Sequence, residues 1–219
     1  MPRLLFEKTG NAVWMSHLDL MRLFQRAFKR AGLLLKHTQG FNPRPAVSIA
    51  LPLSVGVESH CELLDFDLEG KNASCSEICD LLNKALIEGV KVLKVYDNGR
   101  KLKELSLLSC SVTVEYDSGI PASAQQKLCE LFARESVVVS KKTKNGMQEQ
   151  NIVPMIRHLA VRQLSDKALC LDAIVCCQNP TLNPSQLVVA ICAYLPELKP
   201  DFSRCSRNEI LDQNEKVFR

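Results

Sequence analysis

Residues 16–56 read SHLDLMRLFQRAFKRAGLLLKHTQGFNPRPAVSIALPLSVG, and this stretch predicts a helix, a proline-rich loop and an apolar strand in succession. Ser16 is a favourable helix N-cap, and Asp19 three residues later completes a pattern close to a capping box. The helix is expected to run to Ala31 and to end at Gly32. Its apolar positions recur every three or four residues and form one stripe of five residues: Leu20, Phe24, Ala27, Phe28 and Ala31.

The opposite face of this helix is basic. Arg22, Arg26 and Arg30 stand at i, i+4 and i+8, so that they cover about 12 Å of helix surface, and Lys29 lies beside them. A solvated helix face usually mixes acidic with basic residues, but no acidic residue follows Asp19 in this helix. The pattern favours a surface that binds a polyanion, with a merely solvated face as the alternative.

The loop after the helix combines residues that restrict the backbone. Pro43 and Pro45 restrict their own φ and favour extended conformations at Asn42 and Arg44, while Gly40 permits a positive φ. A loop ordered in this way loses little entropy when it binds a ligand.

The same loop presents planar and polar side chains, namely Gln39, Phe41, Asn42 and Arg44. These groups suit unpaired bases and phosphates, with Phe41 stacking on a base and Arg44 pairing with a phosphate. The alternative is a purely structural crossover in which Phe41 fills the core and Arg44 caps a carbonyl group.

Outward from this stretch, the pattern of the first half predicts the order βαββαβ. Strands are expected near residues 3–8, at Leu33–Lys36 with residues 47–51 as its continuation or partner, at 64–68 and at 91–95, with a second helix over 72–88. Asp65 and Asp67 share one strand face and are expected to form an exposed acidic edge that blocks strand pairing, with a metal site as the alternative. This order is the ferredoxin-like plan.

A similar series of elements follows the turn at residues 97–100. Strands are predicted over 110–116, 137–140, 158–162, 169–175 and 198–204, with helices over 121–134 and from residue 183 onwards, and Asn145-Gly146 predicts a tight turn. The predicted fold class is therefore α+β with tandem ferredoxin-like domains. Their predicted bounds are residues 1–98 and 99–219.

Composition and charge indicate which kinds of partner the protein can have. The 219 residues carry a net charge of +4, but residues 1–50 hold eight basic and two acidic residues for a net +6, whereas residues 51–100 have a net −4. Anionic partners should therefore prefer the first 50 residues. The chain shows no apolar run long enough to cross a bilayer and no leader segment, which predicts a cytoplasmic protein without a membrane partner.

Residues that could carry catalysis or bind a metal are sparse. His17, at the start of the first helix, is a weak candidate for a general base. Of the ten cysteines, Cys75 and Cys79 stand one helical turn apart and Cys176 and Cys177 are adjacent, yet no CxxC motif occurs. These spacings favour reduced thiols, so that neither a metal nor another cofactor is predicted. The sequence also lacks the phosphate-binding motifs GxxxxGK[ST] and GxGxxG.

Residues 6–59, which contain KTG, SHLDLMR, QGFNPRP and ALPLSVGVES, resemble the radical-SAM-linked protein family, a bacterial domain of unknown function. The resemblance implies a partner, because members of that family are fused to or encoded beside B12-binding radical-SAM proteins. The absence of a three-cysteine cluster motif fits an accessory protein that does not itself hold an iron–sulfur cluster. The predicted plan is also similar to the tandem ferredoxin-like CRISPR RNA endonucleases, whose glycine-rich loop is absent here.

These observations together favour a non-catalytic accessory protein of a radical-SAM enzyme that binds RNA, such as tRNA or rRNA. The expected RNA-binding residues are Arg22, Arg26, Lys29, Arg30, Gln39, Phe41, Asn42 and Arg44. One alternative is a metal-independent RNA endonuclease with His17 as its base. The other is a scaffold that binds only the radical-SAM partner.

Overall fold

Alternating strands and helices build the chain, and the computed structural model describes residues 1–70, 73–143 and 146–219 of it. The fold class is α+β, with ten strands and four α-helices in the described residues. Two units divide the chain, the first comprising residues 1–104 with Arg219 and the second residues 105–218.

The first unit contains four strands and two helices in the order βαββαβ. These are β1 Arg3–Lys8, α1 His17–Arg30, β2 Val47–Ile49, β3 Val57–Phe66, α2 Cys75–Ala85 and β4 Val90–Tyr96. The four strands lie in the order β4-β1-β3-β2, and each neighbouring pair is antiparallel. Leu4 stands opposite Leu64 and Leu5 opposite Leu63, so that apolar side chains meet across the sheet on both faces.

The apolar face of α1 forms the core of the first unit. Leu20, Phe24, Ala27 and Phe28 are buried, as their spacing predicts. The ring centroids of Phe24 and Phe6 lie 4.7 Å apart, with the edge of one ring meeting the face of the other, and those of Phe28 and Phe66 lie 4.9 Å apart. Because the apolar face packs against the core, the opposite, basic face of α1 is exposed to solvent.

The second unit contains six strands and two helices. These are β5 Leu105–Glu115, α3 Ala124–Phe132, β6 Val138–Thr143, β7 Gly146–Asn151, β8 Ile156–Ser165, β9 Ala168–Cys176, α4 Ser185–Tyr194 and β10 Phe202–Asp212. Four of the strands form an antiparallel sheet in the order β10-β5-β9-β8. β6 and β7 pair with each other as a separate antiparallel hairpin, so that the strand predicted near residues 137–140 is not part of the larger sheet.

Two predictions about the first unit are wrong. The predicted strand Leu33–Lys36 does not form, because its pairing is limited to an isolated bridge between Leu35 and Leu68 and a few backbone hydrogen bonds beside it, such as that from the amide of Lys36 to the carbonyl of Asp67. The predicted acidic edge does not exist either, because β3 is paired with β1 on one side and with β2 on the other. Asp65 instead accepts hydrogen bonds from Nε and Nη2 of the buried Arg3 at 2.5 and 3.0 Å, and Asp67 accepts one from Lys36.

The first unit extends past residue 98, where the turn sequence places the domain boundary. Nη1 of Arg3 donates to the carbonyl of Arg100 at 2.8 Å, and the amide of Arg100 donates to the carbonyl of Arg219.

The second helix begins at Cys75, where Ser74 and Glu77 form a capping box. Asn72, its predicted first residue, and Asn145 of the predicted tight turn lie outside the described residues.

The cysteines are free thiols rather than disulfides. The Sγ of Cys75 donates to Asp97 and that of Cys79 to the carbonyl of Val92, and burial raises the pKa of both thiols. Cys176 and Cys177 are buried. In residues 1–70, 73–143 and 146–219, no group of three or more His, Cys, Asp or Glu side chains is arranged to hold a metal ion. None of the helices in these same ranges has the length and apolar character that crossing a bilayer requires.

Candidate nucleic-acid interface

The start of α1 is fixed by a local hydrogen-bond network. Oγ of Ser16 accepts from the amide of Asp19 at 3.2 Å and donates to Oδ2 of the same residue at 2.7 Å. Nη1 of Arg22 donates to Oδ1 of Asp19 at 3.1 Å. The hydrogen bond from Ser16 and the neighbouring Arg22 lower the pKa of Asp19, so that this carboxylate stays ionised. The predicted N-cap is confirmed, with Asp19 in the place of the usual glutamate.

The four basic side chains of α1 are all exposed, but their surroundings differ. Arg22 pairs with Asp19, as described above. Nη2 of Arg30 donates to the carbonyl of Ala85 at 2.5 Å, at the C-terminal end of α2, where helix carbonyls lack partners within the helix. Among the residues that the structure describes, the side chains of Arg26 and Lys29 have no hydrogen bond or ion pair.

The loop after α1 is closed by its own hydrogen bonds. His37 and Pro45 form an antiparallel bridge, and the amide of Thr38 donates to the carbonyl of Arg44 at 2.8 Å. The amide of Arg44 donates in return to Oγ1 of Thr38 at 3.1 Å. Gly40 has a φ of +146°, in the region that favours glycine, as its place in the turn predicts. We call residues 37–45 the proline loop.

The tip of the proline loop is exposed to solvent. Gln39, Phe41, Asn42 and Arg44 are all exposed, and the relative accessibility of Phe41 is 111%. The alternative in which Phe41 fills the core is therefore excluded. A phenyl ring held in water at the tip of a closed loop has its π-face available for stacking.

Because Phe41 contacts no core residue, we expect the substitution Phe41→Ala to leave the fold unchanged. The free energy of unfolding should change by less than about 0.5 kcal/mol, as for other exposed positions. Urea unfolding followed by circular dichroism measures this change, with Phe24→Ala in α1 as the buried counterpart. Phe24→Ala should cost about 3–5 kcal/mol. A large loss with Phe41→Ala would mean that the ring packs against the protein.

A groove joins α1 to the proline loop. It has a volume of 270 Å³ and is lined by Gln25, Lys29, Leu33, Leu34, Leu35, His37 and Pro45. Its lining is mainly apolar, with Gln25, Lys29 and His37 as the polar side chains. Lys29 of the basic face and the base of the proline loop, at His37 and Pro45, therefore border the same groove.

His17, the candidate base, is the first residue of α1 and is half-buried. Its Nδ1 is inaccessible to solvent and has no hydrogen-bond partner among the described residues. A general base is normally oriented by a third group. The geometry around His17 therefore gives no support to catalysis.

Sequence reasoning missed Lys8, which is completely buried. Its Nζ donates to the carbonyls of Val13, Met15 and Ser54 at 3.0, 3.3 and 3.4 Å. A signal was present, because Lys8 follows the buried residues Leu4 and Phe6 at the strand period of two and so lies on the same face of β1. Lys8 fixes the chain that leads into α1.

One solved structure shows a fold related to that of this chain. A chain in the crystal structure of a Cbf5-Nop10-Gar1 complex matches with a TM-score of 0.52 and 9% identity, covering 95% of this chain. The match spans only 48% of that longer chain, and at this identity it shows a related fold alone. An unknown protein from Galdieria sulphuraria matches with a TM-score of 0.26 and 10% identity, over 94% of this chain and 96% of its own.

The comparisons of sequence are more specific about the family. No curated protein matches the chain. A family model described as an uncharacterized protein conserved in bacteria (DUF2344) matches residues 2–184, which include β1, α1, the proline loop and the groove. The chain therefore belongs to this DUF2344 family of uncharacterized bacterial proteins.

Proposed function

We propose that the chain binds RNA through the surface that α1 and the proline loop share. We call this surface the RNA face, and its residues are Arg22, Arg26, Lys29, Arg30, Gln39, Phe41, Asn42 and Arg44. The observation that carries the proposal is the groove, because Lys29 and Gln25 of α1 line it together with His37 and Pro45 of the proline loop. Lys29 of α1 and the base of the proline loop can therefore contact one ligand, and we propose that the other exposed side chains of α1 and of the loop tip bind the same strand.

The side chains of the RNA face match the chemistry of an RNA strand. Arg26 and Lys29 offer positive charge without a competing partner among the described residues, and phosphates are the groups they would neutralise. Phe41 offers a stacking surface, and the amides of Gln39 and Asn42 can hydrogen-bond to base edges. The apolar side chains that line the groove can contact the flat face of a base.

Arg22 and Arg30 contribute in spite of their contacts within the protein. The ion pair between Arg22 and Asp19 joins two exposed side chains, and such pairs contribute about 0–1 kcal/mol, so that a phosphate can compete for Arg22. A guanidinium carries five N–H donors. The single bond from Arg30 to Ala85 therefore leaves donors that can bind a phosphate.

The proposed role is accessory rather than catalytic. The resemblance of residues 6–59 to the radical-SAM-linked family supports a B12-binding radical-SAM protein as the partner to which the RNA, such as tRNA or rRNA, is presented in the cytoplasm. Co-purification of the tagged chain from bacterial cells tests this pairing. Recovery of RNA without any radical-SAM protein would overturn it.

A finer description of the fold accompanies this function. We propose that both units follow the ferredoxin-like plan, the second with the β6–β7 hairpin as an insertion. The support is the strand order, β4-β1-β3-β2 in the first unit and β10-β5-β9-β8 in the second, with two helices in each unit. An experimentally determined structure in which either strand order differs would overturn this description.

Salt dependence tests the binding. If about four phosphates of a single strand are neutralised, the logarithm of the association constant should fall with the logarithm of salt concentration at a slope near −3. Fluorescence anisotropy of a labelled single-stranded RNA of twelve nucleotides, titrated at several KCl concentrations, measures this slope. An oligomer of the same bases with an uncharged backbone is the control and should bind weakly at every salt concentration. Absence of binding at low salt, or a slope near zero, would contradict the proposal.

A further inference from the structure

One exposed aromatic residue at the start of α1 has no place in the proposed RNA face. Trp14 ends a 3₁₀ turn, Gly10–Trp14, and 65% of its surface is exposed. A Cβ added at Gly56 would lie 3.4 Å from Cζ3 of Trp14, so the indole lies against this glycine. Leu18 and Val55 are also exposed apolar side chains, at 65% and 54%.

The backbone on both sides of Trp14 is held in place. Nζ of the buried Lys8 donates to the carbonyls of Val13 and Met15, the two residues that flank Trp14. The amide of Gly56 donates to the carbonyl of Val13 at 2.8 Å. Trp14 is therefore an exposed ring on a rigid support, which costs little entropy when a ligand stacks on it.

Trp14 lies at the opposite end of α1 from the groove. Leu18, Arg22, Arg26 and Lys29 follow one another at intervals of three or four residues and so form one row on the exposed face of the helix. From Leu18 to Lys29 this row is about 16 Å long. The exposed side chains of Trp14 and Leu18 lie at one end of this row, and the groove, which the base of the proline loop also lines, lies at the other.

The charges on this row indicate the chemical class of the ligand. Asp19 is the sole carboxylate in residues 16–45 of the sequence, and it is already bound by Ser16 and Arg22. A row of cations between two aromatic side chains matches a strand whose phosphates lie along the helix and whose bases stack at both ends. In a duplex the bases stack on one another, so their faces are not available to Trp14 or Phe41.

We infer that the RNA face takes an unpaired strand lying along α1, with one base stacked on Trp14 and a second base at Phe41 and the groove. This inference rests on the proposed function and deepens it, because it selects single-stranded over double-stranded RNA. It also extends the face by Trp14 and Leu18, to which the sequence pattern assigns no role.

The tryptophan itself reports the contact, because Trp14 is the single tryptophan of the chain. Titration with an unlabelled oligoadenylate of eight nucleotides should quench its fluorescence by about half, and a blunt duplex of the same length should leave it unchanged. In parallel, fluorescence anisotropy with a labelled oligoadenylate measures affinity. Trp14→Ala should weaken binding about tenfold, the expected scale for one stacked base. Trp14→Phe should retain most of the affinity.

Phe202→Ala is the matched control, since Phe202 is a half-exposed aromatic residue of the second unit. This variant should bind the oligoadenylate as the unmodified chain does. Thermal unfolding followed by circular dichroism verifies that all three variants fold.

The possible outcomes separate the inference from the proposed function. Binding by anisotropy, with unchanged fluorescence and no effect of Trp14→Ala, would overturn the inference and leave the proposed function standing. Absence of binding by any variant would overturn both. Equal quenching by the duplex would overturn the selection of unpaired RNA. If Trp14→Ala abolished capture of a protein partner but left oligoadenylate binding unchanged, Trp14 would belong to a protein interface and the inference would be wrong.

Discussion

Replacing Lys8 with methionine is expected to lower the free energy of unfolding by about 3–5 kcal/mol. Methionine keeps the apolar stem of the side chain but removes a charged donor from the carbonyls of Val13, Met15 and Ser54. A hydrogen bond to a charged group contributes about 1.5–3 kcal/mol, and the carbonyl of Met15 loses its described donor, whereas those of Val13 and Ser54 still accept from backbone amides. Such a loss is a large part of the 5–15 kcal/mol that stabilises a typical domain.

Urea unfolding measured by far-UV circular dichroism reports this loss. Lys94→Met is the control, because Lys94 lies exposed on β4 of the same sheet, and its free energy of unfolding should change by less than about 0.5 kcal/mol. The emission of Trp14 provides a second measurement, because Lys8 holds the two carbonyls that flank this residue. If Lys8→Met and Lys94→Met unfolded at the same urea concentration, the three hydrogen bonds of Lys8 would have no energetic importance.

Reversing three charges of the RNA face should weaken RNA binding about 100-fold, a loss of about 2.8 kcal/mol. The variant combines Arg26→Glu, Lys29→Glu and Arg44→Glu. All three side chains are exposed, so that the fold should be retained, while phosphates now meet like charge. If each residue neutralises one phosphate, the slope of log K against log salt should also become less steep, by about 2. Anisotropy of the labelled twelve-nucleotide RNA, titrated at several KCl concentrations, measures both quantities.

A variant with the same change in net charge separates the RNA face from charge in general. Arg157→Glu, Lys167→Glu and Lys199→Glu reverse three exposed cations of the second unit. This control should lose affinity only a few-fold, because none of the three residues belongs to the RNA face and salt weakens the attraction of exposed charges that the ligand does not contact. Equal losses with both variants would show that RNA responds to net charge and that the RNA face has no special role.

The local features of the first unit could be predicted well from sequence. Ser16 caps α1, the apolar stripe around Phe24 and Phe28 is buried, and Gly40 has a positive φ. Each of these follows from interactions within about four residues or from the geometry of one residue. The exposure of Phe41 could not be predicted in this way, because a closed loop can place its aromatic side chain either inward or outward.

Local sequence patterns did not predict how segments that are distant in the sequence pair with one another. Leu33–Lys36 has the residues of a strand, but its pairing is limited to one bridge, between Leu35 and Leu68, and a few backbone hydrogen bonds beside it. The sequence pattern predicts that Asp65 is an exposed charge at a sheet edge. Its carboxylate instead pairs with the buried Arg3, which lies 62 positions away in the sequence. Periodicity shows which face of an element is apolar and does not show what covers the other face.

The amino-acid order alone specified the helix α1, its capped start, its basic outer face and the stiffness of the loop after it. Folding in three dimensions decided the surroundings of each cation: Arg30 donates to the end of α2, whereas Lys29 lines the groove beside the proline loop. Folding also buried Lys8 beneath the turn that presents Trp14. The physical reason is range, since caps and rotational restrictions act between neighbouring residues, while burial and ligand grooves require segments that meet only when the sheet and helices pack.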